Sequence, residues 1–280
     1  MGFLAISVIC SVLVSVLLKI AKTKDIDLAT AIMTNYIVCI VLTLWLLKPS
    51  IDTHILAQGL PIFVALGVLL PSIFLVMGKA VQAAGIVKSD TAQRLALIIP
   101  IMASFTLFGE DLTSSKLIAL VLVFLAMGCL LYKPYRTNQP AQRFATLWLI
   151  GVFVGYGVID VLLKQLSKLG GATAGNLIIS FGLACLFMLA YLFIKKIKPR
   201  TISLLGGLLL GLLNFTNIYT YINAHKAMSD TPTLVFAGMN MGVIVVGTMT
   251  GLWLFREKIS IINAFGIVLA LVAIARLFLF

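Results

Sequence analysis

Long apolar runs follow one another along almost the whole chain, and short segments that hold most of the charged residues separate them. Apolar residues make up 61% of the 280 residues and charged residues only 11%, whereas a soluble domain holds roughly a quarter charged residues. A membrane-spanning helix needs about 20 apolar residues, so the chain has room for about ten of them and for little else. The runs exclude an ordinary soluble fold and predict an all-α polytopic membrane protein.

Charge clusters, glycines and prolines divide the chain into ten predicted transmembrane helices. Their ranges are 2–18, 28–47, 59–77, 84–108, 113–132, 145–164, 173–194, 204–223, 233–255 and 260–279. The first lacks a preceding basic segment and a small-residue cleavage signal, so we expect it to be retained as a helix. The longest polar connection, residues 133–144, is the predicted linker between the halves 1–132 and 145–280.

Three short matches in the same order relate the two halves. The string VLLK occurs at residues 16–19 and again at 161–164, the pair Lys79-Ala80 matches Lys226-Ala227, and FGEDLTS from Phe108 matches FREKISI from Phe255. Because the offset stays between 145 and 147 residues, the matches indicate an internal duplication. Five helices in each half give the copies opposite orientations in the membrane. Such inverted five-helix repeats are typical of secondary transporters.

These features resemble the drug/metabolite transporter superfamily, in its ten-helix EamA branch. The resemblance covers nearly the whole chain and rests on its length, the five-plus-five arrangement and a Phe-x-Glu-x-[LI]-[TS] element between the last two helices of each half. The first copy reads Phe108-Gly109-Glu110, and the second departs with Arg256 in place of glycine. The resemblance implies that the first four helices of each half surround a central cavity, that transport is export, and that both termini lie in the cytoplasm.

Ionisable residues within membrane spans are costly and therefore candidates for function. In the fourth helix Asp90 lies one turn from Arg94, and in the sixth Asp160 lies one turn from Lys164. Arg94 is a candidate ligand for a substrate carboxylate or phosphate. Asp90, Asp160 and Lys164 are candidates for proton coupling or charge compensation. The alternative is that both pairs only neutralise charge, with Lys164 reaching water at the membrane surface.

Amide and hydroxyl side chains supply the other predicted substrate ligands. Asn214, Asn217 and Tyr221 share one face of the eighth helix, and this face either lines a cavity or bonds to other helices. The repeat offset pairs Gln93 with Asn240, which makes them symmetric candidates. Asn35 and Tyr36 are weaker candidates, because Ser180 and Phe181 take their places in the second half.

Pro71 and Pro100 interrupt the third and fourth predicted helices, and Gly247 occupies the place that matches Pro100. Prolines permit kinks, so these three residues are candidate hinges. The fifth and tenth helices have small residues but no polar stripe, which predicts peripheral packing or a homodimer contact. The carboxylates of Glu110 and Asp111 are expected to complement the dipole of a helix start.

The charge and the cysteines exclude several function classes. The net charge of +12 comes from Lys and Arg residues placed between apolar runs. Cations in these places set the orientation of the helices and interact with anionic lipid head groups, so nucleic acid is not an expected partner. The four cysteines lie apart, without the spacing of a metal or redox site. No nucleophile-and-base arrangement and no phosphate-binding glycine loop is visible, so we expect no enzyme, cofactor or metal.

The sequence therefore predicts a secondary transporter in the inner membrane, which moves a small polar or amphipathic metabolite, amino-acid-like molecules among the possibilities, by alternating access. A flippase for lipid-linked substrates and a membrane scaffold or sensor remain as alternatives. Most of the 21 Lys and Arg residues follow odd-numbered helices, which places both termini outside and conflicts with the resemblance. The orientation is therefore left open.

Overall fold

The computed structural model describes residues 2–23, 26–49, 53–84, 86–131, 144–169, 173–255 and 260–279. Within these ranges all regular structure is helical. The helices are α1 (Gly2–Thr23), α2 (Leu28–Leu42), α3 (Thr53–Ala84), α4 (Ile86–Leu95), α5 (Ile98–Thr106), α6 (Ser114–Leu131), α7 (Ala145–Lys168), α8 (Thr173–Lys195), α9 (Thr201–Ala227), α10 (Pro232–Phe255) and α11 (Ile261–Leu279). A π-helical segment, Thr43–Leu47, continues α2.

Six helices in the described ranges are long and apolar enough to cross a membrane. Large apolar side chains cover their outer surfaces, and Trp45, Phe193 and Trp253 are 74%, 85% and 82% exposed. Such surfaces are stable in lipid and unfavourable in water. The protein is thus a helical membrane protein, as the apolar runs predict. Residues 133–143 of the predicted linker lie outside the described residues.

The fourth predicted helix is divided, and Pro100 explains the division. The chain turns at Ala96 and Leu97, between α4 and α5. Pro100 has no N–H to donate to the carbonyl of Ala96 four residues earlier, so a regular helix cannot pass this point without losing a bond. The Ala96 carbonyl instead accepts from the N–H of Ile99 at 3.0 Å. Helix α3, by contrast, continues through Pro71 as one helix.

Helices from the two halves of the chain alternate in the bundle. Helix α9 packs against α1 and α2, helix α3 packs against α7 and α8, and α1 also contacts α10. Helix α7 lies against both α4 and α5. Helices α6 and α11 pack on each other at the edge, where Ala119, Ala270 and Ala273 are fully buried. The peripheral packing of the fifth and tenth predicted helices is observed within one chain, and a homodimer through them stays a prediction.

Glycines permit the closest helix crossings. A Cβ atom at Gly207 in α9 would lie 2.6 Å from the carbonyl oxygen of Ala31 in α2, and one at Gly211 would lie 2.6 Å from Cβ of Val38. At the α3/α8 crossing a Cβ at Gly67 would lie 2.5 Å from Cβ of Leu183. Only a residue without a side chain lets these backbones approach so closely.

Candidate functional site

Helix α9 carries the predicted polar stripe, and each of its three members bonds to a different helix. The residues are Asn214, Asn217 and Tyr221, which follow one another at spacings of three and four. They lie on the side of α9 that faces the bundle, because Asn214 and Tyr221 are buried and Asn217 is half-buried. The stripe connects α9 to α1, α2 and α7.

Asn214 meets Asn35 directly above the close crossing of α9 and α2. The Nδ2 atom of Asn214 donates to Oδ1 of Asn35 at 3.1 Å. Cys39 lies one turn further along α2, and its Sγ is 3.6 Å from the carbonyl oxygen of Gly211. Asn35 Nδ2 is buried without a hydrogen-bond partner. Because an unsatisfied buried donor is unfavourable, this amide is available to a ligand in the bundle interior.

Asn217 bonds to the first helix of the chain. The hydroxyl of Ser7 in α1 donates to Oδ1 of Asn217 at 2.6 Å and lies 3.2 Å from its carbonyl oxygen. Ser7 is fully buried. The adjacent Thr216 and Thr220 donate instead to carbonyls of their own helix, at 2.9 Å and 2.7 Å, so they add nothing to the interhelical contacts.

Tyr221 brings α9 to the carboxylate of Asp160 in α7. Its hydroxyl donates to Oδ1 of Asp160 at 3.2 Å. The ring of His225 stands edge-on to Tyr221, with centroids 4.7 Å apart, and lies 4.7 Å from the ring of Phe236. His225 is fully buried, and neither ring nitrogen has a hydrogen-bond partner. An imidazole in this condition is rare, because both nitrogens have lost water without replacement.

Lys164 was expected either to pair with Asp160 or to reach water at the membrane surface, and the structure shows neither. Its side chain is fully buried, and Nζ donates to the carbonyl oxygens of His225 at 3.4 Å and Ser229 at 3.1 Å. These carbonyls belong to the last turn of α9 and the turn that follows it, where a cation complements the helix dipole. Nζ also lies 5.9 Å from the ring centroid of Phe108.

Glu110 caps a helix start, but the helix is in the other half of the chain. Gly109 has a φ of 70°, which makes a tight turn before Glu110. Glu110 Oε2 accepts from the N–H of Thr233 in the first turn of α10 at 2.8 Å, and Oε1 lies 3.0 Å from Nζ of Lys116. The expected complement to the dipole is present, and it acts on α10 rather than on the adjacent α6.

The symmetric pair of amides makes no bond to the α9 stripe. Gln93 and Arg94 in α4 are half-buried, and Asn240 in α10 donates to the carbonyl of Phe236 in its own helix at 3.1 Å. The side chain of Asp90 lies outside the described part of the chain. Tyr36 is fully buried with its ring 6.3 Å from that of Phe181, and its hydroxyl has no hydrogen-bond partner.

The three candidate hinges differ in their surroundings. Pro100 marks a real break, and Pro71 lies within a continuous helix. A Cβ at Gly247 in α10 would meet nothing within 4 Å, so no neighbouring helix requires a glycine there.

Ser7 and His225 were not among the residues predicted from the sequence. Ser7 is a single hydroxyl in an apolar helix, and only the fold shows that it faces Asn217. His225 could have been found from its spacing, since it follows Tyr221 by one helical turn on the same face. Within the described residues no group of three or more His, Cys, Asp or Glu side chains could hold a metal ion.

A related protein shows the family of this chain. An uncharacterised protein of Haemophilus influenzae is 50% identical to it over 281 residues, which cover 98% of this chain and 97% of the relative. The chain belongs to the same family as that protein. No model of a known protein family matches the sequence.

A protein of known crystal structure shares the fold. It superposes with a TM-score of 0.71 and covers 99% of this chain and 96% of its own, at 16% sequence identity. At this identity the likeness shows the arrangement of helices and carries no statement about substrate or activity.

Proposed function

We propose that the protein is a secondary transporter that exports a small polar or amphipathic metabolite across the inner membrane by alternating access. The proposal takes the chain as a ten-helix, EamA-like member of the drug/metabolite transporter superfamily. It requires ten membrane spans in two inverted repeats, and it requires no cofactor and no catalytic step. Three features of the described residues support it.

The apolar helices support ten spans. Besides the six long ones, four shorter apolar helices cover Gly2–Leu17, Ala92–Thr106, Ser114–Cys129 and Ala264–Ala273. They lie where the first, fourth, fifth and tenth spans are predicted. If α4 and α5 together cross once, the long and short helices alternate in direction along the chain and make ten crossings.

The pairing of helices supports an inverted repeat, and this observation carries the proposal. Each helix of one half has a counterpart about 146 residues away in the other half. When both helices of an observed contact are replaced by their counterparts, the resulting pair is also in contact. The α1/α9 contact becomes α7/α3, α2/α9 becomes α8/α3, and α1/α10 becomes α7 with α4 and α5. The α6/α11 contact becomes itself. Two halves related in this way can exchange shapes and open a central site to either side.

Two helix ends support the same relation. Among the described residues other than glycine, Lys48 and Lys196 have positive φ, 44° and 53°. Each of them ends the second helix of its half, and the separation between them along the chain is close to the repeat offset. A left-handed lysine is uncommon, so its recurrence at matching ends favours a shared origin of the halves.

The polar stripe of α9 lies where the halves must move against each other. Its bonds to Asn35 and Ser7 join the second half to the first, whereas its bond to Asp160 stays within the second half. In the proposed cycle the bonds between halves break and re-form, and polar groups of the substrate take the vacated positions. Arg94 would bind an anionic group of the substrate and Gln93 and Asn240 its neutral groups, while Asp90, Asp160 and Lys164 would balance charge.

The test begins with a thermal-shift screen of the purified protein against amino acids, nucleosides, organic acids, polyamines and sugars, since a ligand of the folded state raises its melting temperature. A hit is then followed by counterflow exchange in proteoliposomes. We expect Tyr221→Phe to slow exchange by about tenfold, which corresponds to the loss of one hydrogen bond of about 1.4 kcal/mol. Tyr219→Phe is the matched control, because Tyr219 is half-buried in the same helix and stacks on Phe215.

Two outcomes contradict the proposal. One is that none of the compounds that bind exchanges across the bilayer. The other is that Tyr221→Phe alters melting temperature alone, while exchange matches that of Tyr219→Phe. Either result favours a scaffold in which the polar residues only hold the helices together.

A further inference from the structure

The inner side of α7 carries a half-buried strip of residues that ends at Asp160. Its members are Leu149, Phe153, Tyr156 and Asp160, which fall within about 60° of one another at 100° per residue. The strip points away from the outward residues Leu147, Ile150 and Val154, which are 44% to 62% exposed.

Buried residues border this strip on both sides near Asp160. Ile159 and Leu163 are buried on one side, and Gly157 and Lys164 on the other. Helix α7 contacts α3, α4, α5 and α9. A half-buried side chain that lies between two buried rows on this side faces the interior of the bundle rather than lipid. The strip therefore offers a ligand two aromatic rings followed by a carboxylate.

The Asp160 carboxylate has no cationic partner within the described part of the chain. Its protein contact is the Tyr221 hydroxyl at 3.2 Å on Oδ1. The nearest cation in sequence, Lys164, is occupied by the carbonyls of His225 and Ser229. An uncompensated carboxylate inside a membrane protein is costly, and a cation that enters the site removes that cost.

The surroundings of Asp160 suit an ammonium group better than a metal ion. Tyr156 lies one turn before Asp160 on the same strip, and Tyr221 faces it from α9. Aromatic faces attract organic cations, and a carboxylate forms strong charge-assisted bonds to ammonium hydrogens. Metal ions instead need several strong ligands, and among the described residues Asp160 belongs to no group of three or more His, Cys, Asp or Glu side chains.

From this geometry we propose that Asp160 binds the ammonium group of the transported substrate, whose apolar body lies along Tyr156 and Phe153. The assignment rests on the proposed transport function and names its substrate class as amines with an apolar part. Tyr221 holds the carboxylate in position through its hydroxyl, and Lys164, turned away, leaves the second carboxylate oxygen to the ligand.

The experiment uses three probes of one shape and different charge: phenethylamine, 2-phenylethanol and phenylacetate. Binding to the full-length protein in detergent is measured by titration calorimetry and by the shift in melting temperature. We expect phenethylamine to bind at least about tenfold more tightly than the alcohol or the acid. Asp160→Asn keeps the shape and an acceptor for Tyr221, and it should weaken phenethylamine binding by about tenfold or more while leaving binding of the alcohol unchanged.

Two further variants separate binding from folding. Asp111→Asn removes an exposed carboxylate outside the bundle and should leave phenethylamine binding unchanged. Tyr156→Leu keeps an apolar surface and should weaken the amine more than the alcohol, because only the amine gains from the aromatic face. The melting temperature of each ligand-free variant shows whether it is folded.

The amine assignment fails if the three probes bind equally, if phenylacetate binds best, or if none binds up to about 10 mM. It also fails if the Asp160→Asn variant binds phenethylamine as tightly as the unaltered protein does. Counterflow exchange shows whether the amine site or the transport function is the part that is wrong. Exchange of an anionic or neutral metabolite that depends on Asn214 and not on Asp160 would keep the transporter and remove the amine site. An amine that binds through Asp160 and does not exchange would keep the site and remove the transporter.

Discussion

The α2/α9 and α3/α8 crossings occupy corresponding places in the two proposed repeats, yet they differ in chemistry. Both rely on a glycine pressed against the partner helix, Gly207 in one and Gly67 in the other. Only the α2/α9 crossing adds the Asn35–Asn214 bond, and the residue that matches Asn35 is Ser180, whose hydroxyl donates to its own helix at 3.0 Å. Both crossings are therefore closely packed, whereas the Asn35–Asn214 bond has no counterpart at Ser180.

The largest expected effect is on the packing that both crossings share. Gly207→Ala places a Cβ 2.6 Å from the backbone oxygen of Ala31, which cannot move without separating the helices. We expect a loss of about 2–3 kcal/mol in unfolding free energy, measured by SDS titration in mixed micelles. The control is Gly206→Ala, whose Cβ meets only the side chain of Ile26, at 3.1 Å. Equal losses in both variants would show that helix propensity rather than the crossing is responsible.

Removal of the polar bond should have a smaller effect. Asn214→Ala leaves Oδ1 of Asn35 with only the weak thiol donor of Cys39, at 3.8 Å, and we expect a loss of about 1–2 kcal/mol in the same titration. In a double-mutant cycle with Asn35→Ala, the coupling energy should be about 0.6–1.7 kcal/mol, the range for interhelical bonds in membranes. A coupling energy of zero would mean that the Asn35–Asn214 bond adds no stability to the α2/α9 crossing, which would then not differ in this respect from the α3/α8 crossing.

The hydrogen bond between α9 and α1 should contribute less to the unfolding free energy than the Asn35–Asn214 bond does. Ser7→Ala removes one hydroxyl that donates to Asn217 and leaves little empty space. We expect a loss of about 0.6 kcal/mol, and the loss should disappear when Asn217 is already alanine. An undiminished effect in the Asn217→Ala background would show that Ser7 acts through packing rather than through this bond.

The smallest effect is expected at Ser180, the residue of the α3/α8 crossing that matches Asn35. Ser180→Ala in α8 removes a hydroxyl that bonds only within its own helix, so the change in unfolding free energy should stay within about 0.5 kcal/mol. A loss as large as that of Asn214→Ala would erase the proposed difference between the two crossings.

Much of the fold follows from the sequence because the membrane restricts the possibilities. In lipid every backbone group must be bonded within the chain, so an apolar run of about 20 residues becomes a helix. Helices occupy all ten predicted segments, with ends such as Lys168 and Thr201 shifted outward by a few residues. Pro71 and Pro100 were both expected to permit kinks within single helices. The structure has a break between α4 and α5 near Pro100, whereas α3 continues through Pro71, since one missing bond is insufficient to end a long, tightly packed helix.

The candidate site was less predictable from sequence, because its contacts join distant residues. Helical spacing correctly placed Asn214, Asn217 and Tyr221 on one face, but their partners Asn35, Ser7 and Asp160 depend on which helices become neighbours. The local pairing of Asp160 with Lys164 was inferred from their spacing alone. In the structure Lys164 bonds instead to carbonyls at the end of α9, and the sequence does not show that these carbonyls are near.

The bond between Glu110 and the first turn of α10 also bears on the order in which the protein is made. The two partners are 123 residues apart, so Glu110 emerges from the ribosome about 6–25 s before Thr233, at 5–20 residues per second. Lys116, only six residues later, is synthesised almost at once and lies 3.0 Å from the same carboxylate. The lysine can therefore hold Glu110 in a charge-balanced state during insertion of the second half, so that the carboxylate is ready when the start of α10 arrives.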